Sequence, residues 1–193
     1  MSPLRSRLFR ALVAVTVATT VVLAPAGPAS AGIWQMTDGF EPASDPASRW
    51  SPTVVGTCWG PHYTGGIGPA RTGTGFAHWR VLYRPDWCSI GRTITLTPVV
   101  TRPGPIRCSA GVWARLRGGD PQFALEVIDP DTWTYIALKT VPYPGWRADY
   151  TLHTVSWTAQ RPDVVLRLTL GAMGNGPYPA EIELDDVVVQ CTY

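Results

Sequence analysis

Asp185 and Asp186 are adjacent carboxylates inside a stretch that otherwise reads as a buried strand, and such a pair needs either water or a cation. Apolar residues alternate at Ile182 and Leu184, then change parity and resume at Val187, Val189 and Cys191. Side chains alternate faces with period two, so the change requires one extra residue. A β-bulge is expected at the acidic pair, which makes it a candidate calcium site. Two other carboxylates, Glu126 and Glu183, project from the non-core side of alternating strands. Opposed on one sheet, they would be the acid and nucleophile of a glycosidase. The competing reading pairs them with the outward Arg115 and Arg167 as solvated ion pairs. His62, His78 and His153 lie far apart without a ligand-spaced partner, and there is no G-x-S-x-G, H-E-x-x-H, Walker or dinucleotide glycine motif.

Aromatic residues supply a different chemistry. The chain has nine Trp and seven Tyr. Flat aromatic faces stack on the apolar faces of pyranose rings, while charged or amide groups fix the hydroxyls. Strand parity points Trp113 away from the core, with Arg107 and Arg115 on the same face. Trp59, Trp87, Trp133, Tyr135 and Tyr178 read as lying in or beside loops at strand ends.

The elements that position these groups are strands. Nineteen Pro and nineteen Gly are scattered throughout, and no window after residue 31 sustains a 3.6-residue apolar period. Phe123, Leu125 and Val127 alternate with Ala124 and Glu126, and Val164 to Leu170 alternates in the same way. Further strands are expected at Phe76 to Tyr83, Arg92 to Leu96, Tyr135 to Lys139 and Tyr150 to Trp157. Eight or so strands with turn signals between them predict an all-β, two-sheet antiparallel sandwich whose first and last segments share a sheet. Ser44 to Ala70 reads as an irregular loop.

Residues 1–31 have the form of a secretory signal: Arg5, Arg7 and Arg10, an apolar run from Ala11 to Leu23, and Ala29-Ser30-Ala31 as the cleavage site. Residues 32–193 then form one domain, expected to be a released monomer without a membrane span. The formal charge of +2 includes those three arginines and no acid from the signal, leaving +2 − 3 = −1 on the exported part. With one lysine and dispersed arginines, nucleic acid is excluded as a partner. Four cysteines, Cys58, Cys88, Cys108 and Cys191, fall in the exported part, and an even number in an oxidising compartment favours two disulfides. Of three connectivities, the inward parity of Cys108 and Cys191 favours joining them, which leaves Cys58–Cys88 to staple a loop.

The early Gly39-Phe40-Glu41 together with the closing Ile182-x-Leu184-Asp185-Asp186-Val187 resembles the galactose-binding-like jelly rolls, among them several families of non-catalytic carbohydrate-binding module. Ile106 to Arg115 resembles their central strand with Trp113 outward. Trp146, Tyr150 and Val155 resemble the turn into a later strand, and Val164 to Leu170 the strand before the last. The resemblance implies a jelly roll and a structural Ca²⁺ held by Glu41 and Asp185, with Asp38 and Asp186 as the substitutes. It further implies a secreted, non-catalytic domain binding a polysaccharide or other glycan through Trp113, Arg115, Glu126, Trp59, Trp87 and Tyr178. The alternatives are a small hydrolase or lyase on the same fold, using Glu126 and Glu183 or a Tyr/His/Arg set, and an exported protein-binding or inhibitory domain contacting its partner through the Cys58 to Cys88 loop.

Overall fold

Alternation with period two runs through the chain, and in the computed structural model it becomes eleven strands among the described residues, 32–63, 69–83, 85–101, 104–119, 121–141, 149–172 and 179–193. They are β1 (Ile33–Asp38), β2 (Ser51–Val55), β3 (Cys58–His62), β4 (Ala77–Val81), β5 (Trp87–Thr95), β6 (Ile106–Gly118), β7 (Pro121–Ile128), β8 (Tyr135–Val141), β9 (Thr151–Ala159), β10 (Asp163–Ala172) and β11 (Ala180–Thr192). Two four-residue helices, α1 (Pro46–Arg49) and α2 (Thr97–Val100), and a 3₁₀ turn at Pro42–Ser44 complete the regular structure. Each carries proline in its first turn, where the missing N–H costs nothing. The expectation for Ser44 to Ala70 needs correction. Part of it is α1, β2 and β3, because edge strands need no buried face and so leave no apolar alternation to read.

The strands form two antiparallel sheets. One runs β3-β4-β11-β6-β9 with β1 also on β11, and the other runs β2-β5-β10-β7-β8. On β10, Val164, Leu166, Leu168 and Leu170 are buried between the sheets, while Val165, Arg167, Thr169 and Gly171 face outward. β11 is central to the first sheet. Ala180 to Leu184 pair with β4 and Val187 to Thr192 pair with β1, so two strands lie end to end along one side of it while β6 runs along the other. At their junction the β11–β6 register shifts between Asp185 and Val188, and Asp186 takes φ 48°. The parity change thus sits where β11 changes neighbours.

The core is filled by Trp50, Trp79, Phe40, Phe123 and the inward aliphatics of both sheets. Cys108 and Cys191 are directly opposed on β6 and β11 and are disulfide-bonded; Cys58 and Cys88 form the second bridge. That second bridge differs from a loop staple. Cys58 is on β3 and Cys88 on β5, so it ties one sheet to the other. Closing thirty residues of separation, it contributes roughly 3 to 4 kcal/mol by the loop-entropy relation.

Candidate functional site

The outward residues of the first sheet line up across its strands in charged rows. Glu183 on β11 has His78 of β4 on one side and Arg115 of β6 on the other, with the Tyr150 ring 4.6 Å from the Arg115 guanidinium. Glu181 has Arg80 and Arg117 in the same positions one row away. The Arg115–Glu183 pair is buried, with side chains 6% and 2% exposed, rather than solvated as an outward position suggests. Segment 69–75 lies over this end of the sheet: the Pro69 carbonyl accepts from Arg115, and the Arg71 guanidinium sits 3.8 Å above the Trp113 ring. Trp113 does point away from the core, but a cation already occupies one of its faces. Trp59, on β3 at the sheet edge, is half-exposed and its ring lies tilted against His62 with centroids 4.0 Å apart. Tyr178 and Trp146 lie outside the described residues.

Burial among Arg80, His62, Arg117 and Arg115 holds His78 at about 4, so the imidazole is neutral. Such a group contributes stability that is present above 6.5, its unfolded value, and is lost as pH falls through 4. Asp185, raised to about 6 chiefly by burial, acts oppositely, its contribution being lost as pH rises through 6. Denaturant titrations in EDTA should therefore show little net change from this pair between pH 4 and 6.5. Asp185→Asn should unmask a loss of roughly 3 kcal/mol on acidification across that range. Parallel profiles for variant and wild type would contradict the assignment.

Three carboxylates gather at the bulge. A side chain on Gly39 would have Asp186 Oδ1 at 3.6 Å, Asp185 Oδ1 at 3.9 Å and the Glu41 Cγ at 3.9 Å. The end of β1, the junction in β11 and the 71–75 turn before β4 meet here. Asp185 accepts the Arg71, Thr72 and Asp186 amides at 2.8, 3.0 and 2.8 Å; Glu41 accepts the Thr74 and Gly75 amides and the Thr74 hydroxyl. Asp186 takes the Arg71 guanidinium and the Thr72 hydroxyl. Asp185 is buried with its charge disfavoured, and among the described residues no three His, Cys, Asp or Glu side chains converge as a metal-holding group, so any ion here would have only Glu41 and Asp185 as side-chain ligands and would need backbone carbonyls to complete its oxygen shell. Asp38, the substitute ligand, is elsewhere engaged: Phe40 and Trp50 donate to it at 3.0 Å, and Arg49 and Arg92 clasp it.

The outer face of the second sheet is built differently. Its floor includes small outward residues: Gly91 on β5, Thr169 and Gly171 on β10, and Ala124 on β7. Neither Gly91 nor Gly171 has a positive φ, and a Cβ would meet nothing closer than 3.6 and 3.9 Å respectively. Backbone and packing therefore tolerate a side chain there, and with no bulge or positive φ at either glycine the space above them is open to another molecule. Aromatic groups wall the floor. Trp87, Tyr135, Leu138, Glu126 and Gln122 line a cavity of about 410 Å³ on one side. Trp133, Arg49, Ser51, Thr53, Arg92 and Arg167 line one of about 570 Å³ on the other. Trp133 is 64% exposed and held at φ 55° in a turn whose Asp129 accepts the Asp131 and Thr132 amides. A bulky residue in the left-handed region is strained, and strain that presents a ring to solvent points to use of that ring. Between the cavities Glu126 accepts from Arg167, from the Thr169 hydroxyl at 3.0 Å and from the Tyr135 hydroxyl at 3.5 Å.

The sequence-expected residues are thus divided. Trp113, Arg115 and Glu183 are on one outer face; Trp87 and Glu126 are on the other, separated by the whole sandwich. The Glu126 and Glu183 pair therefore cannot flank one glycosidic bond, which requires carboxyls within about 10 Å, and that assignment is withdrawn. Trp87 and Tyr135 are the first residues of β5 and β8, beside loops at strand ends as expected. Gly91, Gly171, Arg49 and Arg92 were not anticipated. Glycine at outward parity within β5 and β10 was the available signal for the first two.

No protein-family model matches this chain, and no curated protein matches it. Solved structures do. A cyclase from Fischerella sp. TAU is similar with a TM-score of 0.53 at 15% identity, over 82% of this chain and 98% of that one. The carbohydrate-binding module TmCBM61, solved in complex with β-1,4-galactotriose, gives 0.46 at 14% identity, over 80% and 86%. The enzymatically active domain of bacteriophage CBA120 tailspike protein 4 gives 0.47 at 13% identity, over 74% of this chain and 19% of that one. The likeness is one of fold. The chain is an all-β sandwich of two antiparallel sheets.

Proposed function

We propose that residues 32–193 are an exported, non-catalytic carbohydrate-binding domain whose glycan lies on the outer face of the β2-β5-β10-β7-β8 sheet. The observation that carries this reading is the groove itself. A floor opened by Gly91 and Gly171 lies between the cavity of Trp87 and Tyr135 and the cavity of Trp133, so that aromatic faces stand beside small residues, as stacking on sugar rings requires. Glu126, Arg167 and Gln122 supply the polar groups that fix hydroxyls. Two disulfides suit an oxidising compartment, and no described helix is long and apolar enough to cross a membrane.

A glycan array followed by affinity electrophoresis tests the reading. Trp87→Ala and Trp133→Ala should each weaken binding by at least about 1 kcal/mol with unchanged melting curves, while Trp113→Ala should leave affinity as it is. Release of reducing ends or unsaturated products, stopped by Glu126→Gln, would replace the binding reading with an enzymatic one.

We propose also that Ca²⁺ stiffens the junction in β11, held by Glu41 and Asp185. The ion would neutralise Asp185 and lock the 71–75 turn to β11. Bound only to the folded chain and present at a hundredfold over its dissociation constant, it would add about 2.7 kcal/mol. EDTA should lower the melting temperature, and Asp185→Asn should abolish that sensitivity. Identical melting curves with and without chelator would remove the ion from the account.

A further inference from the structure

The geometry points to an anionic glycan, one bearing carboxylate or sulfate groups, with its charged group seated in the cavity lined by Arg49, Arg92, Arg167 and Trp133. The inference rests on the glycan-binding reading above and specifies its ligand.

The arrangement of charges in depth carries it. Arg49 and Arg92 both bind a single carboxylate, Asp38, so the group as a whole keeps one surplus positive charge. Asp38 is buried behind them: its side chain is 1% exposed, whereas Arg49 and Arg92 are 26% and 22% exposed. The third member repeats the pattern, since Arg167 is 20% exposed and its partner Glu126 5%. A molecule entering the cavity therefore meets the partly exposed Arg49 and Arg167 guanidiniums with their carboxylates committed beneath them, while Arg92, opposite the inward Leu166, turns its own toward Asp38. No Asp or Glu is among the lining residues, and the nearest acidic turn, Asp129 and Asp131 beside Pro130, is bound to Arg161. Ser51, Thr53 and Thr93 add hydroxyl groups around the arginines. Planar guanidinium suits both carboxylate and sulfate, and Trp133 stands beside it to stack on the ring that carries the anion. Burial, with a smaller contribution from Arg49, holds the Arg92 guanidinium below its ordinary value despite the neighbouring Asp38. The exported part has a net charge near −1, so attraction is local to this cavity rather than a property of the whole surface.

The experiment compares four immobilised polymers with the exported domain: polygalacturonate, the same polymer methyl-esterified, a sulfated galactan without uronic acid, and a neutral galactan. Binding to polygalacturonate or the sulfated galactan should exceed that to the uncharged polymers by at least about tenfold, and the margin should close in molar salt. Preference for the one or the other identifies carboxylate or sulfate as the group recognised. Arg49→Gln, with a melting curve recorded to show that it folds, should remove most of the margin, and an unchanged margin in the folded variant would overturn this seat for the anion. Equal binding to charged and uncharged polymers would overturn the anionic ligand and leave the glycan reading standing. Failure to bind any of the four, nor anything on a glycan array, would overturn both.

Discussion

Arg115→Met should be among the most damaging single substitutions in this protein, destabilising it by roughly 3 to 5 kcal/mol. The reason is what it leaves behind. Glu183 is almost wholly enclosed between β4 and β6, and its carboxylate is bound to Arg115, with the Arg117 guanidinium 3.7 Å away. With Arg115 removed, a buried charge loses its principal partner and its remaining environment cannot solvate it. The double variant Arg115→Met/Glu183→Met should recover most of the loss, because an apolar pair of similar volume avoids the desolvation of both ions. Urea denaturation of the single and double variants measures the difference. A double variant no more stable than Arg115→Met would mean that packing, rather than the stranded carboxylate, accounts for the damage.

Asp38→Ala is expected to cost a comparable amount, about 3 to 5 kcal/mol, by a different route. Asp38 ends β1 and accepts from four groups, the Phe40 amide, the Trp50 indole, Arg49 of α1 and Arg92 of β5, and so ties its own strand end to α1 and to β5. Burial alone would raise its pKa, but the hydrogen bonds from Arg49, Trp50 and Phe40 outweigh it and hold the carboxyl below the usual range. The sign follows. Stability from this group is present above the ordinary aspartate value and is lost as pH falls through the lower folded value. Wild-type stability should accordingly drop steeply below about pH 4, and Asp38→Asn, less stable at neutral pH, should show a shallower acid limb. Equal slopes in the two proteins would show that other carboxylates govern acid unfolding.

Much of the architecture was legible because alternation in a strand reports which residues face its own core. The inward set Val164, Leu166, Leu168 and Leu170 was readable, as were the change of parity at Asp185-Asp186, the opposition of Cys108 and Cys191, and the outward direction of Trp113. Edge strands β2 and β3 escaped notice because neither buries one face continuously. The carboxylates Glu126 and Glu183 show where such reading stops. Each is outward on its strand, each lies beside an outward arginine, and nothing local distinguishes them; yet one sits under the aromatic groove and the other in a closed charged row on the far side. Period two says in or out relative to one sheet, and it carries no information about which sheet a strand joins. That choice depends on long-range pairing: β10 between β5 and β7, and β11 between β6 and the end-to-end β4 and β1. The same pairing brings Arg49, Arg92 and Asp38 from three distant segments to one cavity. The amino-acid sequence by itself determined the strands that bury a face, those faces and the bulge, because these follow from neighbours one or two residues away. The tertiary structure alone decided which outward residues share a surface, because that surface is assembled from strands whose partners lie far along the chain.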